Sequence, residues 1–173
     1  LPAIYNSPQN TVRHDKVEPL ENLYNELNLI VTIFYNKYKD LDNEITSKRP
    51  GNNKWSLNEI MGHLIDSACN NHQRFVRLQI TKELIFPDYA RDNAKWLEIQ
   101  RYNDLPFSDI ALLWRQYNVL LGNIIKKVDE SNLENYWELN GDKITLKDLM
   151  IDYVRHLKDH LQHFEQVLQE VKR

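Results

Sequence analysis

Apolar residues return at three- and four-residue steps in four separate stretches of the chain, divided by polar, turn-forming runs. In residues 17–39 the recurring positions are Leu20, Leu23, Tyr24, Leu27, Ile30, Val31, Phe34 and Tyr38, which predicts a first long helix. Residues 40–54 follow with charge, Pro50, Gly51 and Asn52-Asn53, a turn-rich link. A second helix is expected over 55–82. Ser56 stands as its N-cap with Glu59 three residues later, the pattern of a capping box, and Leu57, Ile60, Met61, Leu64, Ala68, Phe75 and Val76 share one stripe. Residues 84–106 read as a long irregular crossover holding Pro87, Tyr89, Trp96 and Tyr102. Connections longer than about 15 residues are usually functional or built from short structured pieces.

Ser108 is expected to cap a third helix over 109–128, with Ile110, Leu113, Trp114, Tyr117, Leu120, Leu121, Ile124, Ile125 and Val128 as its stripe. In residues 129–144 the run Asn140-Gly141-Asp142-Lys143 reads as a tight turn joining two short extended pieces. Thr145, with Asp148 three residues on, opens a fourth helix that runs to about Val171. Its core face is Leu146, Leu149, Met150, Tyr153, Leu157, Leu161, Phe164, Val167 and Leu168. Residues 1–16, with Pro2 and Pro8, lack periodicity and read as an irregular arm. The pattern therefore predicts an all-α, helical-bundle domain over 17–173.

Composition narrows the function. The chain has 173 residues and 4 glycines, enough for one domain with an ordinary core. A net charge of −3 gives no basic surplus for a nucleic-acid backbone. No apolar run reaches about 18 residues and the start is not signal-like, so a soluble chain without a membrane partner is expected. One cysteine, Cys69, rules out an intrachain disulfide and suits a reducing, cytoplasmic setting.

Candidate chemistry sits in the histidines. His156 and His160 are four residues apart at a margin of the fourth helix's apolar face, so both imidazoles project from adjacent turns of one side, the spacing of metal ligands. His63, beside the stripe of the second helix, is the best third ligand. The alternative is a set of partly buried, hydrogen-bonded histidines along an interhelical edge, and spacing alone leaves both readings open. Asp66 and Ser67 follow His63 by three and four residues and are candidates to orient its ring, unless Asp66 faces water. His163 could substitute as a ligand or donate a hydrogen bond. Trp96 or Tyr89 would form a substrate wall or merely pack on the bundle end, and Arg74 and Arg155 are the cations that a carboxylate-bearing cosubstrate would want. Cys69 falls on another face from His63. A zincin-type protease is disfavoured, because Leu157-Lys158-Asp159 fills the gap where a His-Glu-x-x-His motif needs a glutamate.

Several of these stretches resemble one family. Lys54-Trp55-Ser56-Leu57-Asn58-Glu59-Ile60, then His63-Leu64-Ile65-Asp66-Ser67, Asn70 and Arg74-Phe75, look like the second-helix signature of the DinB-like superfamily, in its YfiT-like branch of metal-dependent thiol transferases. Ala94-Lys95-Trp96, Lys143-Ile144-Thr145-Leu146 and the trio His156, His160 and His163 resemble the same branch in order and spacing. The resemblance spans residues 20–168. It implies a four-helix bundle of up-down-down-up type and one divalent ion, zinc or nickel, on His63, His156 and His160. It also implies transfer of a low-molecular-weight thiol, bacillithiol in the best-known case, to an electrophilic small molecule, with a homodimer as an open alternative. One departure is Asp159, where the branch often has a second histidine before the last ligand. A metal-dependent hydrolase and a non-catalytic metal-binding stress-response bundle are the competing readings. With three neutral ligands and an open position, a bound ion could serve a thiol or a water equally well.

Overall fold

The computed structural model describes residues 20–173, apart from the side chain of Arg91; the arm expected over 1–16 lies outside the described residues. Four long helices form the body: α1 (Leu20–Tyr38), α3 (Leu57–Arg77), α5 (Phe107–Lys126) and α6 (Leu146–Val171), with a one-turn α2 (Asn43–Thr46) and a two-turn α4 (Asn93–Gln100) in the connections. Their ends follow local chemistry. Ser56 and Glu59 complete the capping box of α3 in both directions, and Thr145 caps α6 by accepting from the Asp148 amide. α5 differs from expectation. Pro106 occupies its N-cap position and Phe107 is its first residue, so Ser108 lies inside the helix. The Phe107 amide is taken by Asn43 Oδ1 at 2.7 Å instead, a cap supplied by α2.

Side-chain pairings fix the helix directions. Tyr24 and Lys126, and Phe34 and Trp114, meet between α1 and α5, which run antiparallel. Asn58 bonds the Leu105 carbonyl just before α5, and Tyr117 bonds Cys69 farther along, so α3 and α5 run side by side in the same direction. Lys54 reaches Glu170 while Phe75 meets Tyr153, so α3 and α6 are antiparallel. Glu26 pairs with Lys158 and Lys37 with Glu165, so α1 and α6 are parallel. The result is the up-down-down-up bundle. Its parallel α3–α5 neighbours require a crossover between them, and its centre is an aromatic stack of Phe34, Trp114, Phe107 and Phe164.

The crossover is more ordered than its sequence pattern suggests. It contains β1 (Glu83–Ile85), a 3₁₀ turn, α4 and a second 3₁₀ turn at Tyr102–Asp104. β1 pairs in parallel with β2 (Tyr136–Leu139), which turns through Asn140-Gly141 into the antiparallel β3 (Asp142–Thr145). Both turn residues have positive φ, 56° and 93°, the hairpin geometry expected of Asn-Gly. This small sheet packs Trp137 and Leu84 into the core at the end of the bundle away from the Ser56 cap. On α5 the apolar stripe is narrower than expected. Ile110, Trp114, Leu121 and Ile125 are buried, whereas Leu113 and Leu120 are exposed, because neighbouring helices cover only one side of α5. Val76 on α3 is likewise exposed.

Ser56 carries two duties, capping α3 and donating its hydroxyl to Asn103 Oδ1 at 2.6 Å. Ser56→Ala should therefore lower unfolding free energy by about 1–2 kcal/mol, the upper range for a lost N-cap, measured as a shifted urea midpoint at unchanged slope.

Candidate metal centre

The antiparallel seam between α3 and α6 brings three imidazoles to one point. His63 projects from the buried face of α3, and His156 and His160 from adjacent turns of α6. The ring centroids lie 4.6 Å apart for His63 and His160, 4.4 Å for His156 and His160, and 5.5 Å for His63 and His156. One nitrogen from each ring falls within 4.8 Å of the others, and no aspartate, glutamate or cysteine joins them among the described residues. The apolar neighbours Tyr153, Leu157 and Leu161 fix the α6 face, so the histidines occupy its margin without contributing to its core stripe.

All three rings are held neutral. Burial pushes His63 well below the usual histidine value, with further depression from His160 and His156; burial also lowers His160, to about 3, ahead of the charges of His156 and His163. His156 is lowered by burial too, partly offset by Asp152 and Asp159. His160 Nδ1 is buried and accepts or donates no hydrogen bond among the described residues. An unpartnered buried nitrogen is costly, and a cation is the partner a neutral imidazole lone pair lacks. Neutral, converging donors and an orphaned nitrogen fit a divalent ion.

Aromatic rings enclose His63. The Trp55 indole lies 5.2 Å from it between centroids, and Tyr89, from the crossover, lies 6.2 Å away. Trp96 packs on the far side of Tyr89 at 5.4 Å, so Tyr89 stands nearer to the histidines than Trp96 does. The Tyr89 hydroxyl pairs with Ser67, which places Ser67 as a support of the aromatic wall, and Ser67 also accepts from Asn71 Nδ2.

Other anticipated members stand elsewhere. Asp66 neither faces water nor bonds to His63; it is buried, accepting from the Tyr102 hydroxyl and from Gln100 Nε2, each at 2.8 Å. Its work is to hold the crossover against α3. Gly62 makes that possible, since a Cβ there would lie 2.1 Å from the Tyr102 ring. Arg74 is buried about three turns beyond His63, stacked 3.8 Å over Trp137 and paired with Asp88 at 3.3 Å, and so stabilises the sheet end. Arg155 lies on the outer face of α6, bridging Asp152 and Asp159; this also places Asp159 on the surface. His163 is one turn beyond the trio, its ring 6.4 Å from His160. Of the two aromatic residues offered for a wall, Tyr89 is the one beside His63, whereas Trp55 escaped the residue-by-residue reading of the trio, although it directly precedes the Ser56 cap and so had to lie near the start of α3.

The fold has a solved counterpart. YfiT from Bacillus subtilis, described as a probable metal-dependent hydrolase with an unusual four-helix bundle topology, superimposes with a TM-score of 0.77 at 15% identity, over 96% of this chain and 94% of that one. The chain thus has the DinB/YfiT-like fold. No protein-family model matches the chain, and no curated protein sequence matches it.

Two outcomes follow. Gly62→Ala forces the Tyr102 ring away and breaks its bond to Asp66, so unfolding free energy should drop by about 1–3 kcal/mol, read from denaturant curves. The second concerns pH. Because the folded-state values of the histidines are depressed, an unfolded chain takes up protons first as pH falls, so their contribution is complete above about 6.5 and is lost on the way down toward the folded values. Metal-free protein should lose stability steadily from about pH 6.5 to pH 5, above the range where the paired carboxylates titrate. His160→Gln should flatten that slope in urea titrations across this window.

Proposed function

We propose that the chain is a metal-dependent enzyme in which His63, His156 and His160 hold one divalent ion, zinc or nickel, and in which a low-molecular-weight thiol is joined to an electrophilic small molecule. The observation carrying this reading is the convergence of three neutral imidazoles, one with an unpartnered buried nitrogen, at a seam walled by aromatic rings. A divalent ion there would supply full positive charge and an open position at which a thiol gives up its proton. The thiol sulfur then forms one bond to the electrophilic carbon, and the leaving group departs with the electron pair of the bond it breaks.

The protein's part is to position and to exclude water. His63 has the rings of Trp55 and Tyr89 beside it, an apolar wall suited to an electrophile with little charge. The buried carboxylate Asp66, one turn beyond His63, is committed to Tyr102 and Gln100, and burial raises its pKa although both hydrogen bonds oppose the rise. No aspartate or glutamate joins the three histidines among the described residues, which favours a nucleophile that ionises readily by itself. Hydrolysis is the second reading, supported by the description of YfiT as a probable metal-dependent hydrolase. Thiol and electrophile incubated with the zinc- or nickel-loaded protein should give the thioether conjugate. Ester or amide hydrolysis by the same sample, with no conjugate formed, would reverse the order of the two readings.

His156→Ala tests the site itself. The residue lies outside the core stripe, so the bundle should keep its helical circular-dichroism signal while bound metal, measured by elemental analysis, falls to background. A mutant that loses its helical signal would show that the imidazole is structural.

A further inference from the structure

The α5 helix carries two apolar rows, and the bundle covers one of them. Away from the buried Ile110, Trp114, Leu121 and Ile125, a second row returns at three- and four-residue steps as Leu112, Leu113, Gln116, Val119, Leu120 and Asn123. Its four aliphatic side chains are each between 40% and 47% exposed. Val76 of α3, about two turns beyond the Cys69 that bonds Tyr117, widens this face on one side. A continuous row of this kind along a helix about 30 Å long marks a surface that meets another protein.

The distribution of charge says which protein. A solvated helix face is ordinarily charged, as on α6, where Asp148, Arg155, Lys158 and Asp159 are exposed. α5 keeps charge off its second row. Arg115 and Lys126 are turned toward α1, over Tyr35 and Tyr24, which leaves Asp109 at one end of the row and Lys127 at the other. These two lie about five turns apart on one line of the helix. Neither has an ion-pair partner among the described residues. An uncharged row with an anion at one end and a cation at the other is complementary to itself turned end for end. Two α5 helices packed antiparallel bring each Asp109 to the other copy's Lys127, place opposite dipole ends together and lay aliphatic groups on aliphatic groups, with Gln116 near the two-fold axis. Parallel packing would set like charges against each other.

We infer that the outer face of α5 is the interface of a homodimer, in which α5 packs antiparallel on the α5 of a second copy of this chain. The aliphatic row supplies the affinity, whereas the solvent-exposed Asp109–Lys127 pairs contribute little energy and set direction and register. The interface leaves the seam between α3 and α6 uncovered, so it does not depend on the metal reading.

Sedimentation velocity of the 173-residue chain between about 1 and 100 μM tests it. A concentration-dependent dimer is expected, with a dissociation constant on the order of 10 μM. Leu113→Glu and Leu120→Glu, at exposed positions, should each weaken it about tenfold while the helical circular-dichroism signal is unchanged. Ile33→Glu, on the exposed face of α1, should leave it intact. Asp109→Lys and Lys127→Asp should each weaken it about three- to fivefold, and the protein carrying both changes should recover, because the pairs are then restored with their signs exchanged. A monomer throughout the concentration range would overturn the assignment. So would a dimer indifferent to Leu113→Glu and Leu120→Glu, one lost in Ile33→Glu, or one that the double charge exchange fails to restore.

Discussion

Three imidazoles share one buried point, where burial disfavours a proton on any of them and two protonated rings would repel each other. That constraint reaches through the seam between α3 and α6. Antiparallel packing sets the register, with Lys54 on Glu170 at one end and Phe75 on Tyr153 at the other, and the histidines fall between these pairs. The helices supply ample apolar contact on their shared stripes, so the polar cluster can be kept at a margin where the core does not depend on it. What the core cannot do is close the outer side of the cluster. Trp55 and Tyr89 do that, and both reach it from segments that lie outside the four long helices.

The crossover is consequently a working part of the site rather than a passive connection. It is pinned to α3 by Ser56 on Asn103, by Asn58 on the carbonyls of Tyr102 and Leu105, and by Asp66 on Tyr102 and Gln100. These bonds lie along nearly three turns at the start of α3, on both sides of His63, and the bare Gly62 backbone lets the Tyr102 ring approach between them. One helix thereby organises the His63 imidazole and the covering segment together.

Much of this was legible in the sequence. Helix starts were readable where a side chain caps its own helix, as at Ser56 and Thr145, and the start of α5 was misplaced because its cap, Asn43, comes from a distant segment. The trio of histidines was readable from spacing on α6 and from the margin of the α3 stripe. Asp66 was not, since an aspartate on an amphipathic helix is ordinarily solvated and its partners are 34 and 36 residues away. Leu113 and Leu120 fit an apolar period that no neighbouring helix covers, a fact of packing that periodicity does not contain. Arg74 looked available for a ligand because its stacking partner, Trp137, lies in a strand formed far along the chain.

The parallel pairing of β1 with β2 bears on how the molecule assembles. Glu83 must find Tyr136 across the whole of α5, and His63 must find His156 across α5 and the hairpin. Helical bundles usually gain speed from local contacts, and this topology forgoes part of that advantage through loop closures that come before their reward. The histidine cluster cannot exist in any partly folded chain that lacks a docked α6, so a cation attracted to it would bind only at the end of folding and would then hold the finished state against reopening.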